Sequence, residues 1–169
     1  MLNPTAFLDR DGVINIDKGY VYKIDDFEWM PDSKEAIKFL KKKNYLVIVV
    51  TNQSGISREY YDEHDVEVLH GYINNELRQF GTKVDDFYFS PFHPEVKNKK
   101  YEHLSHLRKP NTGMLELAKK KWNIDKSKSF MIGDKLSDID CAMRFGIGGH
   151  LYKGGSLLEF VKKLEDFQQ

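Results

Sequence analysis

The chain has 169 residues, and its 26 lysine and arginine residues balance its 26 aspartate and glutamate residues. A neutral chain lacks the positive field expected of a protein that binds nucleic acid or an anionic membrane, so we expect neither partner. The length suits a single domain over residues 1–169, and the one cysteine, Cys141, excludes an internal disulfide and suits a reducing compartment.

Predicted strands alternate with predicted amphipathic helices along the chain. The strands are the apolar runs 6–8, 46–51, 86–89 and 130–132. Helices are predicted after Asp32 or Ser33, after Asp62, over 111–122, through 139–143 with an end at Gly146, and after Ser156 with a Ser156–Glu159 capping box. The apolar residues that mark these helices include Ala36, Ile37, Leu40, Val66, Leu69, Ile73, Leu77, Met114, Leu117, Ala118, Ile139, Ala142, Met143, Leu157, Phe160, Val161 and Leu164. The alternation predicts an α/β fold, a Rossmann-like doubly wound parallel sheet with helices on both faces.

Two acids separated by one residue follow the first predicted strand. In an extended chain Asp9 and Asp11 point the same way, and Gly12 then permits a tight turn. Converging carboxylates are costly unless a cation or a chemical task holds them together. Taken alone, the pair is equally compatible with one acid that caps a turn and another that is solvated.

Polar segments also follow the other predicted strands. They are Thr51–Gly55 after the second strand, Arg108–Lys109 between the third strand and its helix, and Gly133–Lys135 after the fourth strand, the last followed by Asp138. An ordinary turn, a solvated lysine and acids at a helix N-terminus explain each of them separately. Ligands of doubly wound sheets bind beyond the carboxyl ends of the strands, however, and all of these segments lie there. Their combination therefore favours a functional site.

The chemistry that this combination suits is phosphoryl transfer through an aspartyl-phosphate. A carboxylate nucleophile divides the hydrolysis into two displacements, and a second acid protonates the leaving alcohol and activates water. Magnesium prefers oxygen ligands, while a hydroxyl and a lysine stabilise the charge of the phosphoryl group.

The order of these motifs resembles the haloacid dehalogenase (HAD) phosphatase superfamily. Within it the chain most resembles the D-glycero-D-manno-heptose 1,7-bisphosphate 7-phosphatase family, with histidinol-phosphate phosphatases as near relatives. The resemblance runs from about residue 6 to residue 146 and is carried by Asp9–Asn15, Gly19–Val21, Thr51–Ile56, Arg108–Pro110, Gly113–Met114 and Gly133–Lys135. It implies a HAD-like fold. Only about twenty residues separate Asp11 from the first helix, so we expect an open pocket and no large cap domain.

The resemblance also implies roles for single residues. Asp9 is the implied nucleophile and Asp11 the general acid and base, while Thr51 and Lys109 stabilise the phosphoryl group. Magnesium is held by Asp9, the backbone carbonyl of Asp11 and Asp134, and Asp138 orients a metal-bound water. Arg108 contacts the sugar or its second phosphate. The further substrate contacts implied are Asp17, Gly19, Tyr20, Asn52, Gln53, Ser54 and Lys135.

The chain departs from this family in one loop. Members commonly hold a structural zinc with three cysteines and a histidine before the Arg-Lys-Pro motif. The corresponding positions here are Ser90, Phe92, Ser105 and Leu107. None offers a thiolate or an imidazole, so we expect no structural zinc and a loop held by packing of Phe92, Tyr101 and Leu107. A different metal site built from His93, His103 and His106 stays open.

The resemblance thus implies a magnesium-dependent phosphatase that removes the 7-phosphate of the heptose bisphosphate, in the synthesis of nucleotide-activated heptose. Histidinol phosphate or another small phosphomonoester is the alternative substrate. An inactive sugar-phosphate binder is disfavoured because every motif residue is present, and a DNA-end 3′-phosphatase because the chain is neutral. The N-terminus shows no leader pattern and no run reaches membrane-spanning length, so we expect a cytoplasmic monomer whose partner is a small phosphorylated sugar.

Overall fold

The computed structural model describes residues 1–166, with side chains described as far as Leu164, so residues 167–169 of the predicted domain lie outside the described residues. The strands are β1 (Thr5–Leu8), β2 (Leu46–Asn52), β3 (Asp86–Ser90), β4 (Phe130–Gly133) and β5 (Gly148–Leu151). The helices are α1 (Ser33–Lys42), α2 (Glu63–Gln79), α3 (Gly113–Lys121), α4 (Leu136–Phe145) and α5 (Leu157–Asp166).

The strands form one parallel sheet in the order β3-β2-β1-β4-β5. The chain moves outward from β1 through β2 to β3, and then returns to the other side of β1 to add β4 and β5. This topology confirms the predicted doubly wound sheet. The carboxyl end of β1 lies where the strand order reverses, which is the usual ligand position in such sheets.

Alternation along β1 divides the core between the two faces of the sheet. Ala6 and Leu8 pack with apolar residues of α1, α2 and α5. Phe7 packs on the opposite face, with residues of α3 and α4. Both faces of the central strands are therefore buried, which explains the continuous apolar run in β2. The helices cover both faces, as predicted.

Two details differ from the sequence-based prediction. The strand β5 was not predicted, because its sequence Gly148–Leu151 contains two glycines that weaken the strand signal. Leu117 and Met143 are exposed to 41% and 66%, whereas Leu115 and Phe145 supply the buried contacts of α3 and α4. Helical spacing alone does not show which side of a short helix faces the sheet.

Two of the three predicted helix caps form. Asp62 and Asp65 make a reciprocal capping box at α2, with both hydrogen bonds at 3.0 Å. The N–H of Glu159 donates to Ser156 Oγ at 3.2 Å at the start of α5, which is one of the two hydrogen bonds of the predicted capping box. The predicted cap by Asp32 or Ser33 is wrong. Asp32 has φ = 58° and its side chain makes no capping hydrogen bond among the described residues, while the Ser33 hydroxyl donates backwards to the carbonyl of Met30 at 2.9 Å.

Two long connections frame the carboxyl edge of the sheet. Residues 9–32 join β1 to α1 and contain a 3₁₀ turn, Ile24–Asp26, and residues 91–112 join β3 to α3 and contain another, Glu102–Leu107. Between α2 and β3 only residues 80–85 intervene. Within residues 1–166 there is no cap domain, as predicted. None of the helices described has both the length and the apolar character that membrane crossing requires.

Candidate active site

A cavity of about 230 Å³ opens at the carboxyl ends of β1, β2 and β4. Most of the predicted site residues line it, namely Asp9, Asp11, Asp17, Gly19, Tyr20, Asn52, Gln53, Ser54, Lys109 and Lys135. Within residues 1–166, Thr51, Arg108 and Asp134 are predicted site residues outside this lining. Thr51 is fully buried, and Arg108 Nη1 donates to the carbonyl of Phe92 at 3.2 Å.

Asp9 is the first residue after β1 and is almost fully buried. Its N–H donates to the carbonyl of Ile132 at 3.0 Å, which extends the pairing of β1 with β4 and fixes the backbone. Its Oδ1 accepts the N–H of Arg10 at 2.8 Å and lies 3.0 Å from Lys109 Nζ. Burial raises the pKa of Asp9 well above its ordinary value; Lys109 opposes this shift and the neighbouring carboxylates add to it. Asp9 therefore depends on positive charge to stay ionised.

Lys109 supplies a fixed positive charge beside Asp9. Its ammonium group lies 2.7 Å from Asp138 Oδ1 and donates to the carbonyl of Val50 at 2.8 Å. The Asn52 side chain pairs with the Lys109 backbone, accepting its N–H at 3.0 Å and donating to its carbonyl at 3.1 Å. Burial alone would lower the pKa of Lys109, but Asp9 and Asp138 raise it above its usual range. The lysine is thus held as a cation in one position.

Three carboxylates gather beside this lysine. Ligand atoms of Asp9, Asp134 and Asp138 all lie within 4.8 Å of one another. Asp134 Oδ1 is buried and has no hydrogen-bond partner among the described residues, and burial raises the pKa of this side chain. An orphaned carboxylate oxygen within a set of oxygen donors fits a magnesium ion. Asp9 and Asp134 of the predicted magnesium ligands are in this cluster, and its third carboxylate is Asp138, the residue predicted to orient a metal-bound water.

Two glycines permit the close approach of these acids. Gly12 has φ = 85°, and a Cβ there would lie 2.3 Å from Asp134 Oδ2. A Cβ on Gly133 would lie 2.1 Å from the Cβ of Asp138. Any side chain at either position would displace a carboxylate of the cluster.

Asp11 faces the cavity and is held by donors on both carboxylate oxygens. Arg10 Nη2 donates to Oδ1 at 3.1 Å and to Oδ2 at 3.2 Å. Asn15 Nδ2 donates to Oδ1 at 3.0 Å, and Gln53 Nε2 donates to Oδ2 at 2.9 Å. The second acid of the motif therefore has a defined orientation beside Asp9.

Gln53 connects Asp11 to β2 and to the far wall of the cavity. Its Nε2 also donates to Thr51 Oγ1 at 2.8 Å, and its Oε1 accepts the Tyr61 hydroxyl at 2.6 Å. Burial raises the pKa of Tyr61, so the phenol stays protonated and donates. Tyr61 lines the cavity and was not predicted from the sequence, where it is one tyrosine among nine.

The rim of the cavity is formed by the connection after β1 and the start of α4. The Gly19 N–H donates to Asp17 Oδ1 at 2.9 Å, and the Lys135 ammonium lies 4.0 Å from Asp17 Oδ2. The exposed ring of Tyr20 meets Tyr60 edge-on, with centroids 5.0 Å apart. Asp17, Gly19, Tyr20 and Lys135 thus lie together at the mouth of the cavity.

The loop over residues 91–112 is held by apolar contacts. Tyr101 and Leu107 are 5% and 8% exposed, and they pack in separate clusters with Tyr61 and Met114, respectively. Phe92 is half-buried. In the described part of the chain, His93, His103 and His106 are not gathered into a group of three metal-ligating side chains.

Comparison with known proteins agrees with this arrangement. The family model described as Polynucleotide kinase 3 phosphatase matches residues 6–152. The chain is 40% identical over 161 residues to a Rhodopseudomonas palustris protein named D-glycero-beta-D-manno-heptose-1,7-bisphosphate 7-phosphatase, covering 95% of this chain and 89% of that protein. It is 39% identical to the Escherichia coli K12 protein of the same name, over 86% and 76% of the two chains.

Solved structures show the same fold. A Mesorhizobium loti protein described as a HAD-like phosphatase has a TM-score of 0.84 at 34% identity, over 91% of this chain and 74% of that one. D,D-heptose 1,7-bisphosphate phosphatase from B. bronchiseptica, complexed with magnesium and phosphate, has a TM-score of 0.80 at 26% identity, over 97% and 99%.

Fold and site together define a HAD-like phosphatase, and the protein is a phosphoric monoester hydrolase. The chain belongs to the family described as Polynucleotide kinase 3 phosphatase. It also belongs to the family of its relatives named D-glycero-beta-D-manno-heptose-1,7-bisphosphate 7-phosphatase.

Proposed function

We propose that this chain is a magnesium-dependent phosphatase that removes the 7-phosphate of D-glycero-D-manno-heptose 1,7-bisphosphate through an aspartyl-phosphate on Asp9. The observation that carries the mechanism is the buried contact between Asp9 and Lys109 beside the orphaned Asp134 oxygen. The substrate rests on the names of the relatives. In this proposal residues 1–169 form one catalytic domain.

Asp9 attacks phosphorus with Oδ2, because Oδ1 already accepts the Arg10 N–H and faces Lys109. The bond from phosphorus to the sugar oxygen breaks, and Asp11 gives that oxygen a proton. Asp11 then takes a proton from the water that hydrolyses the acyl phosphate, which frees Asp9 and releases inorganic phosphate.

Lys109 offsets the negative charge on the transferring group throughout. Its contacts to Asp138 and Val50 hold the ammonium group in place before the reaction begins. A charge that does not have to reorganise during the reaction lowers the activation barrier most. The Thr51 hydroxyl is the second group proposed to stabilise the phosphoryl oxygens. Asp9, Asp134 and the backbone carbonyl of Asp11 would hold magnesium, with Asp138 beside them. When bound, magnesium would supply positive charge that keeps these carboxylates ionised and balances the phosphate.

Specificity is proposed to come from the rim. Asp17, Gly19, Tyr20, Ser54 and Lys135 lie around the mouth of the cavity and would contact the sugar. Arg108 would reach the sugar or its second phosphate by leaving its contact with Phe92.

A phosphate-release screen tests the proposal. The panel contains both anomers of the heptose 1,7-bisphosphate, histidinol phosphate and a 3′-phosphorylated DNA oligonucleotide, each with and without magnesium. We expect the highest kcat/KM on a heptose bisphosphate, with one phosphate released per molecule and a requirement for magnesium. A clear preference for histidinol phosphate or DNA would overturn the substrate assignment. Asp9→Asn should abolish turnover, because an amide is not a nucleophile; activity near that of the wild type would refute the covalent route.

A further inference from the structure

Arg10 joins Asp11 to the connection over the site and to helix α2. Its side chain is fully buried, and Nη2 donates to both Asp11 oxygens and to the carbonyl of Val21, the last at 2.5 Å. Its Nη1 lies 3.3 Å from Nε2 of His70. A buried guanidinium is costly unless its donors are paired, so these partners determine how its plane is oriented.

His70 is held as a hydrogen-bond acceptor for Arg10. It lies on α2 with 6% of its surface exposed, and its ring stacks on Phe87 with centroids 4.5 Å apart. A guanidinium has donors only, so Nε2 must be the unprotonated ring nitrogen. Burial and the Arg10 charge both lower the pKa of His70, which favours the same neutral form.

We propose that His70 is a positioning residue that acts through Arg10: Nε2 fixes the guanidinium, which in turn orients the Asp11 carboxylate and anchors Val21. This inference rests on the proposed role of Asp11 as general acid. Asn15 and Gln53 each donate to one Asp11 oxygen, whereas Arg10 donates to both. A guanidinium released from His70 can turn, and the carboxylate then turns with it.

The expected defect depends on the leaving group. A sugar alkoxide needs the proton that Asp11 gives, while p-nitrophenolate is a stable anion that leaves without one. A mispositioned Asp11 should therefore slow the first step for an alkyl phosphate and leave that step nearly unchanged for p-nitrophenyl phosphate. General loss of folded protein would lower both rates by the same factor, so the two causes give different results.

Two variants of similar side-chain length form the test. His70→Gln places an amide oxygen near the Nε2 position, and His70→Met offers only a weakly accepting sulfur. We measure kcat/KM at saturating magnesium on the best alkyl phosphate of the substrate panel and on p-nitrophenyl phosphate. His70→Met should lose about tenfold on the alkyl phosphate, the scale of one hydrogen bond, and less than about twofold on the aryl phosphate. His70→Gln should stay within about threefold of the wild type on both.

Equal losses in the two variants, or equal losses on the two substrates, would overturn the proposal. Thermal melts establish that each variant is folded at the assay temperature. Should His70→Met not fold, Arg10→Lys takes its place, because a lysine keeps the charge but lacks the fork that reaches Asp11, Val21 and His70 together. Its loss should again be larger on the alkyl phosphate, and equal losses would reject the relay. Failure of the proposed function is seen separately, as a wild-type protein that hydrolyses neither substrate.

Discussion

Lys109 Nζ lies 3.0 Å from Asp9 Oδ1, and both side chains are almost completely buried. This contact joins the predicted nucleophile to the cation expected to stabilise its product. The same ammonium group also contacts Asp138, so one positive charge offsets the repulsion between two carboxylates. Burial raises the pKa of Asp9, and the adjacent lysine opposes this shift. The contact therefore explains how a buried aspartate can stay ionised and act as a nucleophile.

Replacement of this lysine should therefore abolish most of the activity. We expect Lys109→Ala to lower kcat by about three orders of magnitude, because the phosphoryl charge loses its fixed counter-charge and Asp9 becomes harder to ionise. Lys119→Ala, which removes an exposed lysine on α3, serves as the control and should leave kcat unchanged. Steady-state phosphate release measures both variants. A loss of only a few fold in Lys109→Ala would show that this lysine has no direct part in catalysis.

The orphaned oxygen of Asp134 leads to a prediction about magnesium. Asp134→Ala should raise the magnesium concentration needed for half-maximal activity by roughly 100-fold or more, since even indirect metal contacts are commonly worth 10–100-fold. Asp140→Ala removes an exposed carboxylate of α4 and should titrate like the wild type. Activity is measured as a function of magnesium concentration for the wild type and for both variants. Coincident curves for all three proteins would place Asp134 outside the metal site.

The loop over residues 91–112 gives a prediction about zinc. Ser90, Phe92, Ser105 and Leu107 offer neither thiolate nor imidazole, and Tyr101 and Leu107 pack the loop instead. Treatment with a zinc-selective chelator, followed by resupply of magnesium, should leave kcat unchanged. Elemental analysis of the purified protein should find less than one zinc per chain. Stoichiometric zinc whose removal destroys activity would contradict this prediction.

Gly133, which is packed against α4, and Gly71, which is exposed, should respond differently to substitution by alanine. Gly133→Ala forces the start of α4 away from β4, since the new Cβ would lie 2.1 Å from the Asp138 Cβ. We expect a loss of about 1–3 kcal/mol in the free energy of unfolding and at least a tenfold drop in kcat, because Lys109 loses a partner. Gly71→Ala is the control. Gly71 lies on an exposed face of α2, and a Cβ there would have no atom within 4 Å apart from the backbone of its own helix. This variant should gain about 0.5–1 kcal/mol from helix propensity without changing kcat. Urea denaturation and steady-state kinetics measure both, and unchanged kcat in Gly133→Ala would contradict the expected coupling.

Sequence motifs predicted the part of the site that lies in short segments at the strand ends. Asp9 and Asp134 each follow a strand directly, so the topology of a doubly wound sheet is enough to bring them together. Lys109 lies late in the connection from β3 to α3, and its place was predicted from the Arg-Lys-Pro motif. The Arg10–His70 contact could not be predicted in the same way, because it joins residues 60 positions apart through side-chain packing. His70 has the helical spacing of a core residue, four positions after Val66, and the sequence does not show which buried polar group it meets. The exposure of Leu117 was missed for a related reason, since the packing of α3 against the sheet selects its buried face.

The buried state of His70 has a consequence for stability that is independent of catalysis. Burial and the Arg10 charge hold its pKa well below the ordinary value of 6.5 in the folded protein. As pH falls through about 6.5, the unfolded chain takes up a proton at this ring while the folded protein does not. The unfolded state then binds more protons, so the free energy of unfolding decreases toward acid and is unaffected by His70 at higher pH.

His70→Gln removes this titration, and its free energy of unfolding should fall less steeply between pH 7 and pH 5 than that of the wild type, by up to about 1.4 kcal/mol per pH unit. The carboxylates titrate in both proteins, so the difference between the two urea-denaturation series isolates the histidine. Parallel series would mean that His70 gains its proton as readily in the folded protein as in the unfolded chain.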